Sequence, residues 1–329
     1  RVSVIGPARN EERNIAHCLD SILALDYPTD SLELIVVDDR SSDATNSIVK
    51  RYARKHSHIV LHTINSDGEK NLQGKPGALD AGISIATGEI LLMTDADCRV
   101  HPRWVRSHVN EYVHHNADMV CAYTLIDGGT LFSKMQAVEW NSTHTMASAG
   151  VYYKQYLGCF GNNLSISRTC YDALGGYSSI PFSITEDLAL MQEAGRHHCA
   201  IRYICSQESS VTTQPILTLK EYLTQHKRWV HGGQQLGWRA TVFVLTSAIL
   251  WIGLGATLYT ESYAMFLAIA LTRLIGDGLI NIPALFVLRR KELIPYIAPA
   301  ILFFTLLELI LPFLLIDRTI VWKGQEFKQ

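Results

Sequence analysis

The sequence predicts an α/β protein: a mostly parallel, Rossmann-like sheet with helices on both faces, followed by a membrane-associated C-terminal part. Three observations carry this reading. Strand-length apolar runs alternate with helical spacing through the first half of the chain. Acidic residues stand directly after two of those runs. Residues 240–316 are dominated by Leu, Ile, Ala, Phe and Val, and 48% of the 329 residues are hydrophobic.

The strand-like runs are residues 2–5, 32–37, 59–64, 89–93 and 119–125, with helical spacing at 11–25 and 44–55 between them. In open sheets of this kind, ligands sit beyond the carboxyl ends of the strands. Asp38 and Asp39, after the second run, and Asp95 and Asp97, after the fourth, are therefore the prime positions. The chain opens on a strand-like run, Arg1 to Gly6, with no cleavable signal pattern.

A net charge of −2 gives no reason to expect a nucleic-acid partner. Seven cysteines, odd in number and without a CxxC pair, favour free thiols in a reducing compartment. His197, His198 and Cys199 invite a metal reading, but sequence neighbours seldom converge on one ion, so a polar turn is expected there.

Residues 216–239 read as an amphipathic, basic helix at a membrane interface, with Lys220, Lys227, Arg228 and Arg239 among Leu219, Tyr222, Leu223 and Trp229. Three long apolar runs follow, 240–259, 263–288 and 293–316, each about the ~20 residues needed to cross a bilayer. Pro295, Pro299 and Pro312 make the third a candidate for a bent or re-entrant segment. Arg289, Arg290 and Lys291 place that loop in the cytoplasm by the positive-inside rule, and the domain of residues 1–215 with it. Arg273 and Asp277 lie on one helical face, either as an internal salt bridge or lining a lipid-acceptor cleft. Residues 317–329 form a tail.

The chemistry-bearing residues begin with Thr94-Asp95-Ala96-Asp97. Two carboxylates one residue apart, just past a buried strand, present hard oxygen ligands to Mg²⁺ or Mn²⁺. Such pairs also cap helices. The turn Asp38-Asp39-Arg40-Ser41-Ser42-Asp43 is a second acidic strand end, in which Ser42 or Asp43 can cap the next helix and Asp39 can face a base or ribose. Gly74-Lys75-Pro76-Gly77 opens a helix suited to phosphate, or a surface turn. Thr185-Glu186-Asp187 starts another helix; either the acids cap it, or Asp187 is a general base. In Gln225-His226-Lys227-Arg228-Trp229, Arg228 can meet a departing diphosphate, and Trp229 can stack on a sugar or anchor at the interface.

In this order, these elements resemble the family 2 glycosyltransferases with a GT-A fold, and most of all the membrane branch of cellulose, hyaluronan and ceramide glucosyl transferring enzymes. Matching stretches are Val2 to Glu12, Val37-Asp38-Asp39, Gly74 to Asp80, Thr94 to Asp97, Thr185 to Asp187 and Gln225-x-x-Arg228-Trp229. Gly161-Asn162-Asn163 resembles an acceptor-site segment, and Trp322 to Phe327 a Trp-Lys-Gly-Arg tail with Gln325 in place of arginine. Gly6 departs from the bulkier apolar residue usual there. The resemblance implies that Pro7, Glu12 and Asp39 bind a nucleoside, with uridine expected, and that Lys75 lies near the nucleotide. Asp97, with Asp95, would hold the diphosphate through Mg²⁺ or Mn²⁺, Asp95 also reaching the nucleotide. Asp187 would deprotonate the acceptor for an inverting attack. Gly161, Asn162, Glu186, Gln225, Arg228 and Trp229 would surround the acceptor and leaving group.

The leading expectation is transfer of one sugar from a UDP-sugar to a lipid or lipid-like acceptor at the bilayer. A processive polysaccharide synthase is the alternative, although such members carry more membrane helices. A dolichyl-phosphate sugar synthase fits less well because those relatives lack the Trp-containing motif. From a different class, a non-catalytic nucleotide-sugar-binding membrane protein is disfavoured by the joint presence of Asp39, Asp95, Asp97, Asp187 and Arg228.

Overall fold

The structure, a computed structural model, describes residues 1–317, 319–322 and 325–328. It divides into two units: Arg1–Asp127 with Met146–Gln214, and Gly128–Thr145 with Pro215–Gln329.

In the first unit the strands are β1 (Val2–Ala8), β2 (Leu32–Asp39), β3 (Ile59–Ile64), β4 (Ile90–Met93), β5 (Arg99–Val100), β6 (Met119–Ala122), β7 (Thr124–Ile126), β8 (Leu164–Ser167), β9 (Ile201–Ile204) and β10 (Val211–Thr213). The helices are α1 (Ile15–Leu23), α2 (Thr45–Lys55), α3 (Gly74–Ile85), α4 (Trp104–His115), α5 (Leu131–Tyr152, shared with the second unit), α6 (Arg168–Ala173), α7 (Gly176–Ser179) and α8 (Glu186–Arg196). Seven strands form one sheet in the order β3-β2-β1-β4-β8-β6-β9, and β5-β10-β7 form a second. In the large sheet six strands run one way, and β8 runs antiparallel to both β4 and β6.

Alternation along each strand explains the two covered faces. Val2, Val4, Leu34, Val36 and Leu92 point to a core shared with α1, α2 and α4. Ile5, Leu91, Met93, Met119, Leu164 and Ile166 point the other way, to a core shared with α3, α6 and α8. Because both faces are buried, β1 and β2 read as almost continuous apolar runs. Gly82 lets α3 lie close to the sheet: a Cβ there would stand 2.8 Å from both Ile5 Cγ2 and Val37 Cγ2.

Two boundaries differ from the sequence expectation, and one open alternative is resolved. β1 and β2 run on to Ala8 and Asp39, so Asp38 and Asp39 close the strand instead of following it. The run 119–125 is two strands, broken at Tyr123, whose carbonyl leaves the large sheet and accepts the Val211 N–H of β10. Asp43, not Ser42, meets the first turn of α2, its Oδ1 accepting the Thr45 N–H at 2.9 Å.

In the second unit, α9 (Leu219–Gly233) begins at Thr218, whose Oγ1 accepts the Glu221 N–H at 3.2 Å and donates to the Glu221 carboxylate at 2.7 Å. The expected interfacial helix breaks at Gly237, φ +59°. There α10 (Trp238–Tyr259) starts, followed by α11 (Tyr263–Val287). Among the described residues these two helices are long and apolar enough to cross a membrane, and their side chains are largely exposed. The third apolar run is divided into a 3-10 turn at Lys291–Tyr296, α12 (Ile297–Glu308) and a 3-10 turn at Leu311–Leu315. Twelve helical residues rise only about 18 Å, well short of the ~30 Å hydrocarbon core. Arg273 pairs with Asp277 at 2.7 Å and also with Glu308 at 3.1 Å, so the internal salt bridge is present. A hairpin of β11 (Thr319–Trp322) and β12 (Gln325–Lys328) follows. Lys323 and Gly324 of the tail motif lie outside the described residues.

Candidate active site

The reversal of β8 brings the candidate site together. Leu164, the first residue of β8, pairs with Met93, the last of β4. The chain entering β8, Gly161-Asn162-Asn163, therefore lies beside Thr94 to Asp97 leaving β4.

Asp95 and Asp97 are half-buried on either side of the buried Ala96. Lys75, in the first turn of α3, ties the turn to α8. Its Nζ is 2.8 Å from Asp95 Oδ1 and 3.1 Å from Glu186 Oε1. Burial alone would lower the Lys75 pKa, but Asp95, Glu186 and Asp187 outweigh it and hold the ammonium well above its ordinary value. Lys75 thus stands among three carboxylates, those of Asp95, Glu186 and Asp187.

Asp187 is half-buried in the first turn of α8. Its Oδ1 accepts the Leu188 N–H at 2.8 Å, and its Oδ2 accepts the Gly161 N–H at 2.7 Å. Burial, reinforced by the charge of Glu186, pushes its carboxyl up to about 7 against the opposing pull of Lys75 and of the two amides. The space at Gly161 is tight: a Cβ there would stand 3.2 Å from both Glu186 Oε1 and Lys75 Nζ. Beside it, the buried Asn162 accepts the Thr124 hydroxyl at 2.8 Å.

At the other end, Asp39 is held between two cations, Arg40 Nε on Oδ1 and Lys70 Nζ on Oδ2, both at 2.8 Å. Burial would raise its pKa, but these two bonds outweigh it and keep the carboxylate below its ordinary range. The Lys70 side chain is only 1% exposed, and sequence reading missed it. It sits in a polar loop, and the contact spans 31 residues. Pro7 lies opposite Val37 in the β1–β2 register. The Glu12 carboxylate accepts the Ala44 N–H at 3.0 Å, and its own N–H donates to Asp43 at 3.0 Å, so Glu12 ties two loops together.

Among the described residues no three His, Cys, Asp or Glu side chains cluster as a metal-binding group. Two accessible carboxylates nevertheless suit Mg²⁺ or Mn²⁺, which take remaining ligands from phosphate oxygens and water. The nearby Cys18 and Cys98 thiols are pushed up, first by burial and then by Asp97 and Asp95, so they stay protonated and are poor ligands. His197 to Cys199 form a turn, His198 having φ +59°, and Cys199 Sγ is 2.8 Å from Cys170 Sγ.

Gln225, Arg228 and Trp229 lie on α9 of the second unit. Trp229 packs on Trp140 and His226. His226, assigned no role by the sequence reading, is buried: Nε2 is 2.7 Å from Glu139 Oε1 and Nδ1 is 2.9 Å from the Tyr222 carbonyl.

The large sheet, its helices on both faces and the acidic strand ends define a GT-A-like α/β fold. Residues 3–188 match the profile of Glycosyl transferase family 2, and the chain belongs to that family. Glycosyltransferase AglE of Haloferax volcanii is 31% identical over 155 residues, 44% of this chain and 49% of that protein. A beta-monoglucosyldiacylglycerol synthase of Trichormus variabilis is 27% identical over 244 residues, 71% of this chain and 49% of that protein. The chain thus spans about half the length of these curated relatives. Among solved structures, the mannosyltransferase PcManGT from Pyrobaculum calidifontis, in complex with GDP-Man and Mn²⁺, shares the fold at a TM-score of 0.60 and 21% identity. That match covers 92% of this chain and 87% of the other.

Proposed function

We propose that the chain transfers a single sugar, with inversion, from a UDP-sugar to a hydroxyl of a membrane lipid. The observation that carries this reading is Asp187, a half-buried carboxyl near neutrality, fixed by the Gly161 amide beside the Asp95–Asp97 turn. A base that titrates near the working pH is matched to removing a hydroxyl proton. The acceptor proton passes to Asp187 Oδ, the acceptor oxygen bonds to the anomeric carbon, and the bond from that carbon to the diphosphate oxygen breaks on the opposite face. Asp39, with Pro7, receives the nucleoside. Lys75 bridges Asp95 and Glu186 and offsets the charge of the carboxylates around it. Mg²⁺ or Mn²⁺, held by Asp97 and Asp95, would supply charge compensation for the leaving diphosphate. Arg228 has the same task, and Gln225 and Trp229 belong to the acceptor side; these three roles rest on the sequence motif.

The glycolipid synthase among the relatives supports a lipid acceptor, and α10 and α11 support an enzyme at the bilayer; a cytoplasmic catalytic part rests on Arg289, Arg290 and Lys291 alone. The test uses the full chain in vesicles containing dioleoylglycerol, a panel of UDP-sugars with GDP-mannose beside them, and Mn²⁺ or EDTA. Mass spectrometry should find one sugar added to the lipid from a UDP-sugar, and only with metal. A ladder of products would replace the reading with polymer synthesis, and nucleotide binding without turnover would replace it with a receptor. Asp187→Asn should cost about 10²-fold or more in kcat while sparing UDP affinity.

A further inference from the structure

Behind the turn that carries Gly161 lies a buried polar network that the proposed chemistry does not use. Asn163, Trp104, His108 and Ser165 are each fully buried. Asn163 Nδ2 donates to two carbonyls, Tyr123 at 2.7 Å and Ser209 at 3.0 Å. Neither carbonyl can donate, so the orientation of the Asn163 amide is fixed and its Oδ1 must accept. Trp104 Nε1–H supplies one bond to Oδ1 at 2.9 Å, and His108 Nε2, at 3.1 Å, must supply the other. The proton of the imidazole is therefore on Nε2. His108 Nδ1 then accepts from the Ser165 hydroxyl at 2.8 Å, which in turn accepts from Tyr112 at 2.9 Å. Every donor in this chain has one possible direction. Burial pushes the His108 pKa down to about 4, in keeping with a neutral ring at physiological pH.

The network ends on the reacting centre. Asn163 N–H donates to the Phe160 carbonyl at 3.0 Å and closes the turn of residues 160–163. Within that turn, Gly161 N–H points at Asp187 Oδ2. We propose that His108 and Trp104, acting through Asn163, are positioning residues that aim the Gly161 amide at Asp187 and so fix the orientation of that carboxylate. This rests on the reading of Asp187 as the base. A side chain held by several buried, mutually satisfied bonds has few alternative positions, and a displacement of about 1 Å in a reacting group costs about 10²-fold in rate.

The experiment compares His108→Leu, His108→Gln and Trp104→Phe with wild type, using the full chain, UDP-glucose and dioleoylglycerol vesicles. Phe keeps most of the Trp104 ring in place and removes the N–H; Gln offers an amide N–H in place of Nε2–H. The Leu and Phe variants should lose about tenfold in kcat while UDP affinity stays within about twofold. The acid limb of their kcat–pH profile should move up by about half a unit, because a carboxylate that loses an amide donor is harder to ionise. His108→Gln should recover most of the rate. Folded Leu and Phe variants with wild-type kcat and an unmoved limb would overturn the proposal. So would a loss of kcat matched by an equal loss of UDP binding, the mark of a network that only holds the fold. If His108→Leu does not fold, Trp104→Phe decides by the same readouts. An active Asp187→Asn would overturn the base assignment itself. An inactive Asp187→Asn beside wild-type-like Trp104→Phe and His108→Leu would overturn the positioning alone.

Discussion

Lys75→Met takes away the ammonium that lies 2.8 Å from Asp95 and 3.1 Å from Glu186, and keeps a side chain of similar length. Asp187 stands at about 7 because burial, with Glu186, raises it while Lys75 and two amides pull it back. A single titration at that value leaves about half the carboxyl ionised at pH 7 and about a tenth at pH 6, so wild-type kcat should fall about fivefold between them. Losing one opposite charge raises a carboxyl by about 1–3 units. Taking about one unit, Asp187 in the variant is about one-tenth ionised at pH 7. Its kcat there should be about fivefold below wild type, and the gap should close by about pH 9. Initial rates of UDP release at saturating donor and fixed Mn²⁺, from pH 5.5 to 9, measure this directly. An acid limb that stays in place or moves down in Lys75→Met would refute the electrostatic reasoning, whatever happens to the donor KM.

Three further outcomes are expected. The folded-state value of Asp187 lies above its unfolded value of 3.8, so its protonated form favours the native state; that contribution is full below the unfolded value and lost as pH rises through about 7. The melting temperature of the ligand-free protein should therefore decline more steeply between pH 5 and 8 in wild type than in Asp187→Asn, and identical slopes would contradict it. Gly82→Ala forces a methyl against Ile5 and Val37 and should cost about 1–3 kcal/mol in urea unfolding; a cost near zero would mean that α3 shifts freely on the sheet. Asp97→Asn should raise the Mn²⁺ concentration needed for half-maximal rate about tenfold or more, as expected for loss of an anionic ligand, while metal-free UDP binding holds; an unchanged metal requirement would remove Asp97 from the metal site.

Much of this architecture could be read before the structure. Buried parallel strands need apolar residues on both faces, so residues 32–37 announce themselves, and polar side chains at their ends mark the functional edge. Asp95 and Asp97 stand out for that reason, whereas Asp187 stands out only as an acid at a helix start. What escaped are contacts between segments with no local signature. Lys70 looks like any loop lysine, yet it meets Asp39 across 31 residues. Lys75 reads as a phosphate-side lysine at a helix start, and nothing local shows that its side chain also reaches Glu186, more than a hundred residues on. Trp104 and His108 stand one turn apart on α4, and only tertiary pairing shows that they bond to Asn163. The three apolar runs are alike in length, but Pro295, Pro299 and Pro312 already mark the third as bent or re-entrant, and 3-10 turns at Lys291–Tyr296 and Leu311–Leu315 interrupt it.

The reversed strand β8 has a consequence for how the chain matures. It enters the sheet between β4 and β6, both of which precede it in sequence by tens of residues. Those two strands cannot find their final spacing by local pairing; the gap must be held until a later segment slots in, an event with a large loop-closure cost. Asp39, Asp95 and Asp97 are already present in the emerging chain by then, whereas Gly161 and Asp187 arrive with the insertion itself. A nucleotide sugar that touches both groups binds the finished sheet in preference to any earlier form. By mass action it should act as a template that draws β8 into place.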